Sequence, residues 1–376
     1  MLKTVLPCCL LAVSLGAPAA LAQESAKTEA PRRIPFNLSL IGPIGFAQVF
    51  DEPVVAHSSL NLLGGHLYGL DGISVGTLYN HVEHTMAGFQ AVAGANIVGR
   101  QVSGVQAAGG FNVSSGSLHG VQAAGGANIA GKVVGAQFAG GYNLAHLSLT
   151  GVQAAVINQA AAVEPGLQAG VLNLAGPVEG LQAAVINQAG DVKGAQIGVI
   201  NAGGAITGMQ IGVINVADDF VDGAPLGLFS YVRKGRLEGD VQVTDSGFTT
   251  ISVNSGSKRV YSILGVSHLP KADGSHLGLN AGLGVHFPLS ESTFSRLEIT
   301  GGPVQDMPSS AANWTSINTY KGMVGWKITP RLGLKAGVSL NHAILRDGSS
   351  FRPSDNVIYE SGRFQVWPAA FIGVDL

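Results

Sequence analysis

Charged residues are scarce in this sequence. Only 12% of its 376 residues are Asp, Glu, Lys or Arg, about half the usual share, and the formal net charge is −2. A disordered chain would be rich in charge and poor in apolar residues, whereas 46% of these residues are hydrophobic. Near-neutrality also removes the basic surface expected of a nucleic-acid binder. The composition therefore argues against disorder and against a nucleic-acid partner.

Cysteine occurs only at Cys8 and Cys9, inside an apolar run that follows the basic start Met1-Leu2-Lys3. The run ends in Ala20-Leu21-Ala22, the small-x-small pattern of a signal-peptidase site. We expect residues 1–22 to be a signal peptide and the polar residues 23–34 to be a flexible leader. Cleavage would leave no cysteine, which excludes disulfides, thiolate metal sites and a cysteine nucleophile.

Glycine, by contrast, is abundant. The 54 glycines are about twice the usual share and penalise helix interiors. Many of them belong to a Gly-x-Gln repeat with a period of 14 to 16 residues, each unit containing a later asparagine. The glutamines are Gln90, Gln106, Gln122, Gln137, Gln153, Gln168, Gln182, Gln196 and Gln210. The asparagines are Asn96, Asn112, Asn128, Asn143, Asn158, Asn173, Asn187, Asn201 and Asn215. With a degenerate unit at Gly72–Asn80, about ten units form an array over residues 72–222.

Two all-β layouts fit a unit of this length. In a parallel β-solenoid each unit is one coil, and the Gln and Asn columns form amide ladders at the inter-strand spacing of roughly 4.8 Å. In an up-and-down sheet each unit is one strand plus a turn, and successive strands are antiparallel. We favour the solenoid because it explains the recurrence of one amide at one place in every unit, and the small residues between the amides.

The region 223–376 has a different pattern. Apolar residues alternate with small or polar ones, as in Leu277–Phe287, in Leu332–Asn341 and at the C-terminal residues up to Leu376. Such runs predict an antiparallel sheet or barrel. Alternation fits an outer-membrane barrel with its apolar side outward and a soluble one with its apolar side inward. Trp326 and Trp367 near strand ends favour the membrane barrel. Residues 35–71 are expected to form N-terminal strands that cap the array.

The Gly-x-Gln-x-Gly-x-x-Asn units lie between Ser59-Leu-Asn-Leu-Leu-Gly-Gly and Gly227-Leu-Phe-Ser-Tyr-Val-Arg-Lys-Gly235. In this order they resemble a family of bacterial surface-repeat proteins, over roughly Ser59 to Tyr261. The resemblance implies an exported, envelope-associated protein and supplies no catalytic residues.

Residues that suggest chemistry are few. Gly72-Ile-Ser-Val-Gly76 matches the serine-hydrolase pattern, but it lies in a β-repeat where Ser74 replaces the glutamine. His81-Val-Glu-His84 lacks a third metal ligand, and a strand would turn its histidines to opposite faces. Asp218, Asp219 and Asp222 lack the spacing of a calcium loop and are expected to cap the last coil. We therefore expect no catalytic, metal or cofactor site.

Three functions remain open. The first is an exported envelope protein with a structural, adhesive or binding role, at the outer membrane or cell surface or, alternatively, periplasmic or secreted. Its glycan or protein ligand is not identified by the sequence. The second is an outer-membrane pore, which the scarcity of aromatics in the repeats disfavours. The third is a carbohydrate-active enzyme on a solenoid. Between Gly88 and Gly208 the only acids are Glu164, Glu179 and Asp191, which argues against it.

Overall fold

The structure is a computed structural model that describes residues 30–42, 44–271, 274–307, 314–329, 332–345 and 354–376. It consists of a parallel β-solenoid of about ten turns followed by a closed eight-stranded antiparallel barrel. The predicted solenoid and the predicted antiparallel C-terminal region are thus confirmed. The expected signal peptide and most of the expected leader lie outside the described residues. Among the described residues, no helix is long and apolar enough to cross a membrane.

The solenoid is one sheet of 19 strands that winds into coils. A 3-10 helix, Ala47–Val49, lies beside its first strand. The strands are β1 Arg32–Ile41, β2 Ile44–Gly45, β3 Val54–Asn61, β4 Gly64–Leu67, β5 Gly69–Gly76, β6 Tyr79–Val82, β7 Met86–Val92, β8 Ala95–Val98, β9 Val102–Ala108, β10 Phe111–Ala124, β11 Ala127–Ala139, β12 Tyr142–Ala154, β13 Ile157–Ala160, β14 Val163–Ala169, β15 Leu172–Ala175, β16 Val178–Ala183, β17 Ile186–Gln188, β18 Val192–Ile197 and β19 Ile200–Val232.

Like residues stack on like along the solenoid. Strand β10 pairs in parallel with β11 so that Asn112 lies opposite Asn128 and Gln122 lies opposite Gln137. Neighbouring coils can differ in length, 16 residues against 15. A register shift absorbs the difference in the segment between an asparagine and the following glutamine, as between Ser114 and Ser117. Buried aliphatic side chains such as Val133 form a third inward column. The interior therefore contains two polar columns and one apolar column.

The first and last coils extend beyond the regular repeats. Strand β1 pairs in parallel with β3 and begins the array, so the expected N-terminal cap is part of the solenoid. The last coil ends at Val232, later than the expected end of the array at residue 222. The sequence motif disappears there because Pro225 stands two residues after Gly223, in the place of a ladder glutamine. The backbone continues to coil without the motif.

Stacking of the coils allows only glycine at the first position of the Gly-x-Gln motif. Nine glycines in this column have positive φ, including Gly180 at 131° and Gly194 at 137°. A Cβ atom on Gly180 would overlap the carbonyl oxygen of Gly166 in the preceding coil. Because L side chains rarely adopt this conformation, the motif requires glycine on both counts.

The barrel strands are β20 Arg236–Thr244, β21 Thr249–Gly256, β22 Val260–Lys271, β23 Gly274–Pro288, β24 Thr293–Met307, β25 Trp314–Lys327, β26 Gly333–Ile344, β27 Tyr359–Ser361 and β28 Phe364–Asp375. Neighbours in the chain pair as antiparallel hairpins, and β28 closes the barrel by pairing with β26 and β20. Strand β27 adds a short hairpin on β28. Eight strands enclose an interior just wide enough for side chains.

The two parts meet at the end of the solenoid. The hydroxyl of Ser262 in β22 donates to the carbonyl of Gly227, at 2.8 Å, and lies 3.1 Å from the hydroxyl of Ser230. Both serines are fully buried. The barrel therefore covers the last coil, which would otherwise expose an open sheet edge.

We predict that Gly180→Ala destabilises the array. The substitution forces an alanine into a positive-φ position against backbone of the preceding coil, so the loss should be about 1–3 kcal/mol. Thermal unfolding followed by circular dichroism measures it. Gly190→Ala is the matched control, because φ there is not positive and the nearest atoms to a new Cβ lie 3.3 Å away. Equal melting temperatures for the two variants would contradict this account.

Candidate functional site

The asparagines form a continuous file of hydrogen bonds inside the solenoid. From Asn80 to Asn215, each side-chain Nδ2 donates to the Oδ1 of the asparagine in the next coil at 2.9–3.0 Å. The second N–H group of several of them donates to backbone, as from Asn187 to the carbonyl of Ile197 at 2.8 Å. The file begins at Asn37 and Asn61 and ends when Asn215 donates to Ser230. It therefore spans the solenoid from its first strand to the barrel.

The glutamines form a second file of opposite polarity. From Gln106 to Gln210, each Nε2 donates to the Oε1 of the glutamine in the preceding coil at 2.7–3.0 Å. Asparagine amides thus donate toward the C-terminus and glutamine amides toward the N-terminus. At the two ends of the file, Gln90 Nε2 and Gln210 Oε1 have no partner among the described residues.

All eighteen amides singled out in the sequence lie in these two files, and each is at most 1% exposed. Buried amides that bond to one another are not available to a ligand, because their donors and acceptors are already used. The ladders are therefore a structural element. Any ligand must be bound by the outer surface of the coils or by the barrel.

Ser74 also lies inside the solenoid. It is 1% exposed, and its hydroxyl oxygen accepts a hydrogen bond from Asn61 at 3.1 Å. The nucleophile pattern that the sequence contains around Ser74 is thus part of the repeat interior. No strand-to-helix elbow surrounds it, since β5 continues through Gly76.

The histidines of the first coils stack against their neighbours. The ring of His81 packs on that of His66 at 4.7 Å, and His66 Nε2 lies 2.8 Å from Glu83 Oε1. Burial and the neighbouring His66 lower the pKa of His81 from its ordinary value. His84 stacks on Tyr68 at 4.2 Å. No group of three potential ligands suited to a metal occurs in the part of the chain that the structure describes.

The acids at the end of the array pair with the segment that leads to the barrel. Asp218 accepts a hydrogen bond from Arg233 Nε at 2.7 Å, which lowers the pKa of the Asp218 carboxyl. Asp219 lies 3.4 Å from Lys234 Nζ. Asp222 instead accepts from the backbone N–H of Gly223. The three carboxylates therefore engage separate partners in the last coil.

One face of the solenoid is free of charge. In the nine regular coils, the residues between each ladder glutamine and the next ladder asparagine are Ala, Gly, Val, Ile, Leu, Phe and one Tyr. We call this surface the uncharged face. The charged residues between Gln90 and Asn215 lie in the remaining segments: Arg100, Lys132, Glu164, Glu179, Asp191 and Lys193. The acids do not form a catalytic pair, since Glu179 is exposed and binds Lys193 at 2.9 Å.

The barrel has ionised and polar side chains inside, together with a buried apolar cluster around Trp367, and its outward side chains are mainly apolar. On β26, Lys335 and Ser339 are 4% and 5% exposed, whereas Val338 between them is 67% exposed. The other strands repeat the pattern, with outward side chains such as Leu279 and Ile372. Of the two orientations that the sequence left open, the structure has the apolar side outward.

Only one of the two tryptophans that favoured the membrane barrel in the sequence lies at the barrel surface. Trp326 is 62% exposed, but Trp367 is 1% exposed and points into the barrel. Trp367 therefore does not contribute to an aromatic belt on the outer surface. Trp367 lies two residues after Gln365 and eight before Asp375, so alternation along β28 places all three side chains on the same, inward side. Gln365 and Asp375 are also buried.

An ion network fills the barrel half nearest the solenoid. Arg296 binds Glu238 at 2.9 Å and Asp375 at 3.0 Å, while Lys335 binds Asp375 at 2.9 Å and also pairs with Asp240. Among the described side chains, the network contains four cations and four carboxylates. They are Arg236, Arg296, Lys321 and Lys335, with Glu238, Asp240, Glu298 and Asp375. Mutual pairing offsets the cost of removing these charges from water.

The other half of the interior contains a cavity of about 60 Å³. Hydroxyl and amide groups line it, among them Thr250, Ser267 and Asn280, and Lys321 and Trp367 also contribute. The volume has room for a few water molecules.

Scans against protein families, curated proteins and solved structures found no match to the chain.

We predict that Asn187→Leu destabilises the solenoid. The leucine removes the donor to Asn201 and leaves the Nδ2 group of Asn173 without its acceptor, at a cost of about 1–3 kcal/mol for each unsatisfied buried group. Chemical denaturation monitored by circular dichroism measures the loss. Gln188→Leu, at the exposed neighbouring position, is the control and should change stability little. An unchanged denaturation midpoint in Asn187→Leu would disprove a stabilising role for the file.

Proposed function

We propose that this protein is exported to the bacterial cell envelope, where its barrel is embedded in the outer membrane and anchors the solenoid as a rigid structural or binding element without catalytic activity. The single observation that carries the proposal is the orientation of the barrel, with apolar side chains outward and ionised side chains inward. Water-soluble barrels bury their apolar side, whereas outer-membrane barrels face lipid with it. The expected signal peptide and the resemblance of the repeats to bacterial surface-repeat proteins support the same proposal.

Strand length supports a membrane location for the barrel. Strands β22 to β26 contain 12 to 15 residues, and a tilted strand needs about 9–11 to cross the hydrocarbon core. Outward side chains are apolar along most of this length, such as Leu277, Leu279, Leu283 and Val285 on β23. A soluble protein would expose this belt to water, at a high risk of aggregation.

The interior favours an anchor over the pore that the sequence also suggested. A conducting barrel needs a continuous aqueous path, whereas here the ion network around Arg296 fills one half. The solenoid supports a structural or binding role over an enzyme, because its interior amides are paired and its few acids are dispersed. These features leave the outer surface of the coils as the part available to a partner.

We predict that the protein stays in carbonate-washed outer membranes and shifts in mobility between heated and unheated gels, as a folded lipid-embedded barrel would. Val338→Arg places a charge in the middle of the proposed lipid-facing belt, which should cost about 2–4 kcal/mol and reduce the folded band. Leu289→Arg is the matched control, because Leu289 is equally exposed but follows the end of β23. Release of the wild-type protein by carbonate would refute the membrane proposal.

We also predict that the purified protein produces no stable ion conductance in planar lipid bilayers. The reason is the paired charges inside the barrel and the small volume of its cavity. Single-channel recording at high protein concentration measures this, with a water-filled porin as the positive control. Reproducible unitary currents would favour the pore.

A further inference from the structure

We propose that the uncharged face of the solenoid rests on the lipid bilayer, so that the array lies along the membrane surface instead of projecting from it. This inference rests on the proposed membrane location of the barrel, and the partner it names is the apolar region of the lipid leaflet.

The composition of the uncharged face is the first observation. It contains no charged side chain in nine successive coils, whereas six charged side chains lie on the other sides of the same coils. An element that is apolar on one side and polar on the other is typical of structures that lie in a membrane interface. Nine coils at roughly 4.8 Å make this face about 40 Å long.

A column of aliphatic side chains runs along the half of this face nearest the barrel. One residue in each coil contributes, and consecutive members are joined by backbone hydrogen bonds, such as Val213 N–H to Val199 O at 3.0 Å. Each of these residues is 45–50% exposed. The members are Val156, Val171, Val185, Val199, Val213 and Leu228.

The junction with the barrel is the second observation. Alternation along β22 turns Ser262 to the outside of the barrel, on the side of the exposed Val266. Ser262 is nevertheless fully buried, because the end of the asparagine file at Ser230 covers it. The solenoid thus meets the outer wall of the barrel and not its opening.

The position of this contact along the barrel wall determines where the solenoid lies relative to the proposed bilayer. Ser262 pairs across the ladder with Leu283, which is 38% exposed and belongs to the apolar belt. The last coil is therefore attached beside side chains that would face lipid. A solenoid that leaves the wall at this level lies next to the bilayer, and its apolar side gains from contact with it.

The shape of the face favours lipid over a second copy of the chain. Bulky side chains stand at both ends, such as Leu38 and Leu60 at the free end and Val213 at the barrel end. Between them lies a shallow trough lined by small residues, including Ala91, Ala107 and Ala123. Two rigid copies face to face would leave this trough empty, at a cost in packing. Acyl chains are flexible and fill it.

The test uses a fluorophore attached to single cysteines, since residues 23–376 contain none. Val185→Cys places it on the uncharged face, and Lys193→Cys places it on the charged side of the same repeat. Val338→Cys places it on the barrel belt. Each full-length mature protein is folded into phosphatidylcholine vesicles with or without brominated acyl chains, and quenching is compared.

We expect brominated lipid to quench most of the fluorescence at Val185→Cys and Val338→Cys and little at Lys193→Cys, at low and high salt alike, because no charge mediates the contact. Quenching at Val338→Cys without quenching at Val185→Cys would overturn this inference and leave the membrane barrel standing. Equal quenching at Val185→Cys and Lys193→Cys would also overturn it. Absence of quenching at all three positions would refute both proposals. Disulfide dimers through Val185→Cys would identify a second copy as the occupant instead.

Discussion

Hydrogen bonding between the buried amides of successive coils determines the register of the solenoid. Asparagine donates to the next coil and glutamine to the preceding coil, so the neighbouring coil must present an acceptor at the same level. Parallel in-register stacking provides this at each step, so Gln122 lies over Gln137 and Asn112 over Asn128. A shift of one residue would break both files at once and turn the aliphatic column outward. The amides thus specify the register more strictly than an apolar interior would.

The same requirement operates in the barrel with charges in place of amides. Its interior contains arginine, lysine and carboxylates that would be costly to bury singly, and they are arranged so that each has an opposite partner. Arg296 is central, because it contacts Glu238, Asp375 and His286 and packs over Phe294. Both parts of the molecule therefore pair most of their buried polar groups with one another and expose apolar side chains, on the outer wall of the barrel and on the uncharged face of the solenoid. This shared feature connects the proposed anchor to the proposed lipid contact of the solenoid.

Much of the solenoid could be predicted from the sequence, because the spacing of the amides carries its periodicity directly. The last coil could not, since Pro225 interrupts the motif although backbone stacking continues to Val232. The sequence revealed the coil in which Ser74 replaces glutamine, but not the coil before it, where Ser59 takes that place and donates to Asn61. For the barrel, alternation predicts two faces but not which is inside. That choice depends on pairing between distant strands, such as Arg296 with Asp375, which a local pattern does not contain.

The opposite polarity of the two amide files has a consequence for the length of the array. Hydrogen-bonded amides aligned in one direction accumulate a dipole as coils are added, and the ends become increasingly charged. Here each coil adds one glutamine dipole and one asparagine dipole that point in opposite directions, so the sum stays small at any number of coils. Duplication or loss of a complete repeat in the gene would then leave the electrostatics of both ends unchanged. The amide files therefore place no electrostatic limit on the number of repeats.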